Sequence, residues 1–122
     1  MTNSKKTLVI GASPNPARYG HKAVKRLLKH GIEVIAIGKR ETEIETVKVI
    51  KGIPYVKALH TVTLYIGPDN QEEYLDYLIS LKPQRIIFNP GTYNRKLEKM
   101  ANEAGIETIE DCTLIMLDMG DY

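Results

Sequence analysis

The sequence contains one cysteine, Cys112, and no apolar run close to the roughly 18 residues that a membrane-spanning helix needs. A single cysteine excludes a disulfide within the chain, and it makes the reducing cytoplasm the expected location. The first apolar run is short and ends before Gly11 and Pro14. This pattern predicts a first strand and not a signal peptide. We therefore expect a cytoplasmic protein that does not contact a membrane.

Catalytic and metal-binding motifs are also missing from the sequence. It has no His-Glu-x-x-His pair, no zinc-site spacing of Cys and His, and no Gly-x-Ser-x-Gly turn. His21 lies nearest to the first glycine-containing loop and is the best candidate for proton transfer, but we expect it to pack or to cap. Glu41, Glu43 and Glu45 alternate along the chain, which favours a solvated loop. We therefore assign no catalytic residue and no metal site, and we do not expect an enzyme.

The net charge is only +2, but its distribution along the chain is uneven. Residues 1–51 contain 11 Lys and Arg against 4 Asp and Glu, whereas residues 52–122 contain 6 against 11. This asymmetry favours an anionic ligand on one side of the domain. The alternative is that the cations at 22, 25, 26 and 29 form the solvated face of one helix. Nucleic acid is not an expected partner, because tyrosines are not interleaved with this basic run.

Short apolar runs alternate with segments of helical periodicity. Strands are predicted at 7–10, 32–37, 62–66, 85–88 and 107–109, with short edge segments at 46–50 and 54–56 and a charged loop at 39–45. Helices are predicted at 18–30, 71–81, 95–104 and 112–119. This alternation indicates βαβ units with a parallel sheet. We expect one Rossmann-like, doubly wound α/β domain over residues 1–122, with a mainly parallel five-stranded sheet and helices on both faces.

Four of the predicted strands end in a loop that contains glycine. In a doubly wound sheet the ligand lies outside the carboxyl ends of the strands. The loops at those ends are Gly11-Ala12-Ser13, Gly38-Lys39-Arg40, Gly67-Pro68 and Asn89-Pro90-Gly91. Glycine and proline occur in loops of every kind, but four such loops at corresponding ends predict a ligand site with close access to the backbone.

The first of these loops leads into the start of a helix, an arrangement that presents backbone N–H groups to a phosphate. It is not a strict dinucleotide fingerprint, because Ser13 stands at the place of the second glycine and Pro16 interrupts the remainder. The Ser13 hydroxyl can donate to a phosphate oxygen, and the Arg18 guanidinium can add a charge-assisted contact. Tyr19, the next residue, either stacks on a ligand or packs against the protein.

The second loop places two cations, Lys39 and Arg40, directly after Gly38. An NAD-binding domain usually has Asp or Glu at this place, where the carboxylate accepts hydrogen bonds from the ribose hydroxyls. Two cations suit a ribose that carries a phosphate instead. The residues alone do not distinguish a 3′-phosphate from the 2′-phosphate of NADP.

The segment from Val9 to Arg40 resembles the small stand-alone CoA-binding proteins. These are similar to the CoA-binding domain of the succinyl-CoA synthetase α subunit and of acyl-CoA synthetases that form ADP. The residues that carry the resemblance are Gly11-Ala12-Ser13, Pro16, Arg18, Tyr19-Gly20 and Gly38-Lys39, and it continues in Gly91, Ala104-Gly105-Ile106 and Asp111-Cys112. It thus covers nearly the whole chain. Phe88-Asn89-Pro90-Gly91 departs from the common pattern, which often has an aromatic residue and a glutamine before this glycine.

The resemblance implies a Rossmann-like fold and a role for each loop. The Gly11–Ser13 loop and Arg18 would serve the pyrophosphate, and Lys39 with Arg40 would serve the 3′-phosphorylated ribose. The segment Ile66-Gly67-Pro68 would lie against the adenine, and Asn89 and Gly91 belong to the fourth loop of the candidate site.

We therefore expect a binding module that holds coenzyme A or an acyl-CoA without catalysing a step alone. Two alternatives remain open from the residues. One is an NADP-dependent reductase, and the other is an interaction domain whose nucleotide site has lapsed.

Overall fold

The computed structural model describes residues 5–122, so residues 1–4 of the domain predicted over 1–122 lie outside the described part. The strands are β1 (Thr7–Ile10), β2 (Val34–Ile37), β3 (Thr42–Ile44), β4 (Val47–Ile50), β5 (Thr61–Leu64), β6 (Arg85–Phe88) and β7 (Glu107–Glu110). The helices are α1 (Tyr19–Lys29), α2 (Leu75–Ser80), α3 (Arg95–Glu103) and α4 (Thr113–Met119). Two short 3-10 turns, Pro68–Asn70 and Glu72–Tyr74, precede α2.

The strands form one sheet in the order β3-β4-β2-β1-β5-β6-β7. All neighbouring pairs are parallel except β3 with β4, which is antiparallel. The predicted doubly wound, mainly parallel α/β architecture is confirmed. The predicted count of five strands is wrong, since the sheet of the described residues has seven.

The extra edge of the sheet comes from the segment that was predicted to be a charged loop at 39–45. Thr42 and Ile44 lie on either side of Glu43, and Ile44 is buried while Glu43 is exposed. This alternation is that of a strand with one solvated face. The segment 54–56, in contrast, is not a strand, and β4 lies between β3 and β2 instead of at the edge.

The second helix is shorter than the sequence pattern predicts. The prediction of a continuous helix over 71–81 is wrong, because α2 begins only at Leu75, after the two 3-10 turns. Gln71 lies between these turns and is completely buried. The bounds of the other three helices differ from the predicted ones by at most one residue.

Apolar layers cover both faces of the sheet. One layer includes Leu75 of α2 and Leu97 of α3, and the other includes Val24 of α1 and Leu117 of α4. The predicted placement of helices on both faces is therefore confirmed. None of the helices in residues 5–122 combines the length and the apolar character that crossing a bilayer requires.

Candidate ligand-binding site at the carboxyl edge of the sheet

The ends of four neighbouring strands lie side by side. Ile10 of β1 pairs in register with Ile37 of β2 and with Leu64 of β5, and Leu64 pairs with Phe88 of β6. Three of the four loops predicted from the sequence follow these residues directly, and Gly67-Pro68 follows Leu64 after two further residues. The chain leaves β1 toward β2 and later returns to pair β5 with the other side of β1, so the strand order reverses at β1. Ligands of doubly wound sheets bind at such a reversal.

The first two loops are in direct backbone contact. Gly11 and Ala12 both donate their N–H groups to the Ile37 carbonyl, at 2.9 and 3.0 Å. A β-carbon at Gly38 would lie under 3.0 Å from the Ala12 carbonyl oxygen, so only glycine fits there. The sequence pattern suggested that Gly38 lets a ligand approach the backbone closely. In the structure the Ala12 carbonyl occupies the space where a side chain of residue 38 would begin. The N–H groups of Gly11 and Ala12 are likewise already paired within the protein.

The first loop also touches the segment that follows β5. A β-carbon at Gly11 would lie 2.8 Å from the Tyr65 carbonyl oxygen and 3.0 Å from Cγ2 of Ile66, and Gly11 has a φ of +102°. The segment Ile66-Gly67-Pro68 therefore borders the first loop directly. Ile66 and Gly67 are half-buried and Pro68 is exposed, so this border is open to solvent.

A fully buried glutamine joins the third loop to the fourth. The amide nitrogen of Gln71 donates to the Ile66 carbonyl at 2.9 Å and to the Thr92 carbonyl at 2.7 Å. Its amide oxygen accepts from Nδ2 of Asn94 at 3.0 Å. Both amide protons and the amide oxygen of this side chain thus hold two loops of the candidate site against each other.

The start of α1 carries unpaired backbone donors. Within residues 5–122, the N–H groups of Tyr19, Gly20 and His21 have no acceptor, and no side chain caps the helix. The first turn also contains no acidic residue. The unpaired donors and the positive end of the helix dipole therefore face the loop without compensation, which is the electrostatic environment of an anion site.

Three cations in the loops of this edge form no ion pair with an acidic residue of the described part. Arg18, Lys39 and Arg40 are exposed, and none of them belongs to an ion pair among the described residues. Arg18 precedes the first helical residue, and Lys39 follows the glycine that packs on Ala12. The positive charge of all three residues is therefore available to a ligand at this edge.

His21 packs beneath the first loop. Its side chain is 7% exposed, and its Nδ1 lies 2.7 Å from the Ser13 carbonyl oxygen. Because a carbonyl only accepts, this contact assigns the proton to Nδ1. The other ring nitrogen is buried and has no hydrogen-bond partner in residues 5–122. His21 therefore holds the backbone of the loop in place.

Ser13 and Tyr19 are accessible from solvent. The Ser13 hydroxyl accepts from the Asn15 N–H at 3.1 Å, which leaves its own proton free to donate. Tyr19 is 65% exposed, and the Lys22 ammonium lies 5.0 Å from its ring centroid. Tyr19 thus packs against Lys22 on one side of its ring and keeps most of its surface accessible to a ligand.

Asn89 is buried, and its side chain is hydrogen-bonded within the protein. It is 3% exposed, and its amide nitrogen donates to Oγ1 of Thr63 at 2.7 Å and to the Leu64 carbonyl at 2.9 Å. Its amide oxygen accepts from the Thr113 N–H at 2.8 Å, at the start of α4. Both amide protons of Asn89 are thus used within the fold. Gly91, in contrast, is exposed and has open space around its α-carbon.

The Tyr65 hydroxyl lies beside Thr63 and Thr113, the residues that also contact Asn89. This hydroxyl is buried and makes no hydrogen bond of normal geometry to the described residues. Burial raises the pKa of Tyr65 well above its usual value. The neutral phenol is therefore the stable form under the loops.

The fold thus gathers the predicted site residues at one edge of the sheet. Gly11, Ala12 and Gly38 build the loops, while Ser13, Arg18, Tyr19, Lys39, Arg40, Gly67, Pro68 and Gly91 have accessible surface. In residues 5–122 no group of three or more His, Cys, Asp or Glu side chains could hold a metal ion.

The sequence pattern missed the residues that connect the loops. Gln71 has no signal of its own, because a polar residue near a helix start is ordinarily solvated. Asn94 was recognisable, since asparagine is favoured before the first residue of a helix, and its side chain accepts from the N–H groups of Lys96 and Leu97. Thr92 is buried against the Asn89 carbonyl, which its hydroxyl reaches at 2.8 Å.

Comparisons with known proteins agree with this architecture. The sequence model of the family described as CoA binding domain matches residues 5–118. An uncharacterized protein of known crystal structure is 46% identical to this chain, with a TM-score of 0.93. The match covers 97% of this chain and 98% of that one. A hypothetical protein from Pyrococcus horikoshii OT3 is 28% identical, with a TM-score of 0.84 over 94% of this chain and 82% of that chain.

A larger enzyme shares the fold. The dinucleotide-forming acetyl-coenzyme A synthetase 1 of Ca. Korarchaeum cryptofilum matches with 18% identity and a TM-score of 0.73. The match covers 89% of this chain but 26% of the synthetase. Among curated proteins no match is found.

Proposed function

The chain belongs to the CoA binding domain family, and we propose on this basis that it holds coenzyme A or an acyl-CoA at the carboxyl edge of its sheet. Family membership supports CoA binding in general. The position of the ligand and the role of each residue are our proposal, and they rest on the geometry of the four loops.

The proposal rests mainly on the unpaired backbone N–H groups at the start of α1. Its three unpaired N–H groups, at Tyr19, Gly20 and His21, meet no acidic side chain in the first turn. A pyrophosphate supplies acceptor oxygens for such donors together with the negative charge that the helix dipole favours. The Arg18 guanidinium and the Ser13 hydroxyl would add contacts to the same group.

Lys39 and Arg40 would hold the phosphorylated ribose. They follow Gly38, whose backbone is fixed against Ala12 of the first loop, so their backbone positions are tied to those of the pyrophosphate donors. The segment Ile66-Gly67-Pro68, on the other side of Gly11, would border the adenine. Gln71 would act as a positioning residue, because it fixes the Ile66 carbonyl from below.

We propose that the module binds without catalysing a step. The histidine nearest to the loop, His21, spends one nitrogen on the Ser13 carbonyl and buries the other. It is therefore a support for the loop and not a base that reaches a substrate. A partner enzyme would supply the chemistry, or the bound CoA would act as a signal.

Isothermal titration of the purified protein with CoA, dephospho-CoA and NADPH tests the proposal. We expect CoA to bind, dephospho-CoA to bind more weakly because Lys39 and Arg40 lose the 3′-phosphate, and NADPH not to bind. Preference for NADPH would favour a reductase instead. Absence of binding by all three ligands would favour an interaction domain with a lapsed site.

A further inference from the structure

A second concave surface lies away from the carboxyl edge, between α1 and the hairpin of β3 and β4. It consists of two adjoining grooves of about 500 and 340 Å³ that meet at Leu28. We call the two together the hairpin groove. The first part is lined by Lys22, Lys25, Arg26, Leu28, Lys29 and Glu45. The second part is lined by Leu28, Glu33, Val34, Ile35, Thr46, Val47, Lys48 and Ile50.

The wall of the hairpin groove is strongly basic. Positions 22, 25, 26 and 29 follow the spacing that places side chains on one face of a helix. Of these four cations only Arg26 forms an ion pair within residues 5–122, with Asp118. Lys25 and Lys29 are exposed and have no carboxylate within ion-pair distance in that part of the chain. Lys25 and Lys29 therefore give the wall positive charge that no ion pair of the described residues neutralises.

The floor of the hairpin groove is aliphatic. On the side of α1 it is formed by Leu28, by Val34 of β2 and by Val47 of β4, which belong to one apolar layer. Ile35 of β2 also lines the groove, but its side chain packs in the layer on the opposite face of the sheet. The floor is open because β4 pairs with β2 only at Ala36 and Ile37. The preceding residues of β2, Val34 and Ile35, therefore have no strand partner on that side and remain partly exposed.

We infer that the hairpin groove docks an acidic peptide segment of a partner protein, whose aliphatic side chains rest on the floor while its carboxylates face the lysines. Charge complementarity of this kind steers association and fixes the register of the partner. The surface lies outside the proposed CoA site, so the inference does not depend on that function.

Other anionic partners fit the hairpin groove less well. Single-stranded nucleic acid binds through bases stacked on aromatic side chains, and no aromatic residue lines either part of the groove. An anionic membrane attracts a basic surface too, but insertion requires apolar side chains that protrude. Here the apolar side chains form the bottom of a concavity. A peptide segment can place carboxylates against the lysines of the wall and aliphatic side chains on the floor.

Fluorescence anisotropy with a short labelled peptide of glutamates and leucines tests the inference on the full chain. A matched peptide has glutamine in place of every leucine. We expect the leucine peptide to bind more tightly than the matched one, because only its side chains use the floor. The double variant Lys25→Glu, Lys29→Glu should weaken binding at least about tenfold. The control Lys96→Glu, Lys99→Glu, which reverses two exposed lysines of α3, should leave it unchanged.

Amide chemical-shift mapping completes the test. The leucine peptide should shift residues of α1 and of the β3–β4 hairpin, and both double variants should keep the dispersed amide spectrum of the folded parent protein. Several outcomes would overturn the inference: equal binding of both peptides, equal weakening by both double variants, or tighter binding of a single-stranded oligonucleotide or of phosphatidylserine vesicles. Self-association lost in the Lys25→Glu, Lys29→Glu variant would assign the groove to a second copy and would also overturn it.

Discussion

Gly20, in the first turn of α1, lies directly against the carbonyl oxygen of Gly11. A β-carbon at position 20 would approach that oxygen to well under 3.0 Å. The helix that presents the unpaired N–H groups is therefore seated on the first loop of the sheet edge, and this contact requires glycine.

Replacing Gly20 by alanine should destabilise the protein although it lies in a helix. Alanine is normally favoured over glycine in a helix by about 1 kcal/mol. The clash with the Gly11 carbonyl should reverse the sign and cost roughly 1–3 kcal/mol. Urea unfolding measures the change in the free energy of unfolding. Gly67→Ala is the matched control, since nothing lies within 4 Å of its β-carbon position. A Gly20→Ala variant that is more stable than the parent would contradict the contact.

Lys39→Ala should reduce the discrimination between CoA and dephospho-CoA, with Arg40 retaining part of it. If Lys39 contacts the 3′-phosphate, the loss for CoA should be about 1–3 kcal/mol, the usual range for a hydrogen bond to a charged group, whereas dephospho-CoA should bind nearly as before. Parallel titrations of the two ligands give the difference. Lys57→Ala, an exposed lysine beyond β4, should leave both affinities unchanged. Equal losses for the two ligands would refute the assigned role.

The Asn89→Ala variant should unfold more readily than the parent protein, because the Asn89 side chain makes three buried hydrogen bonds. Its removal deprives the Leu64 carbonyl and the Thr113 N–H of this partner and leaves the Thr63 hydroxyl with only that of Thr113, which we expect to cost about 2–4 kcal/mol in total. Thermal and urea unfolding measure the loss. The exposed Asn102, changed to alanine, should cost less than about 0.5 kcal/mol. Similar stability of the two variants would show that the network does not hold the fold.

The stability of the protein should fall on acidification in part because of His60. Burial, and next the nearby Arg85 guanidinium, lower the pKa of His60 below its ordinary value of 6.5. The unfolded chain therefore binds more protons than the folded one once the pH falls below about 6.5. The stabilisation is present above that pH and is lost as the pH falls toward the lowered value of the folded state.

His60→Gln should therefore flatten the decline in stability on the acid side. The melting temperature of the parent protein should drop more than that of the variant between neutral pH and mildly acidic pH. Thermal unfolding at a series of pH values measures both curves. Parallel curves would show that His60 does not contribute.

The sequence pattern predicted those parts of the site in which local chemistry and periodicity agree. The apolar runs that end at Ile10, Ile37 and Phe88 mark strands whose ends do lie together. The helix after the first loop was predicted to within one residue at each end. In these places each residue type has one dominant structural preference.

The remaining features depend on contacts that are distant in sequence. Gln71 is polar, and its hydrogen bonds to the Ile66 and Thr92 carbonyls and to Asn94 explain its burial. Gly38 was expected to give a ligand access, but the chain brings Ala12 against it. The strand at Thr42–Ile44 was interpreted as a loop, because alternating glutamates occur both in solvated loops and in edge strands. Only the pairing with β4 distinguishes the two.

An amide chemical-shift titration of the labelled protein with CoA tests whether CoA binds at the start of α1. We expect the largest shifts at the unpaired N–H groups of Tyr19, Gly20 and His21 and in the segment Gly38-Lys39-Arg40. Shifts confined to other surfaces, with these amides unchanged at saturation, would contradict binding at the start of α1.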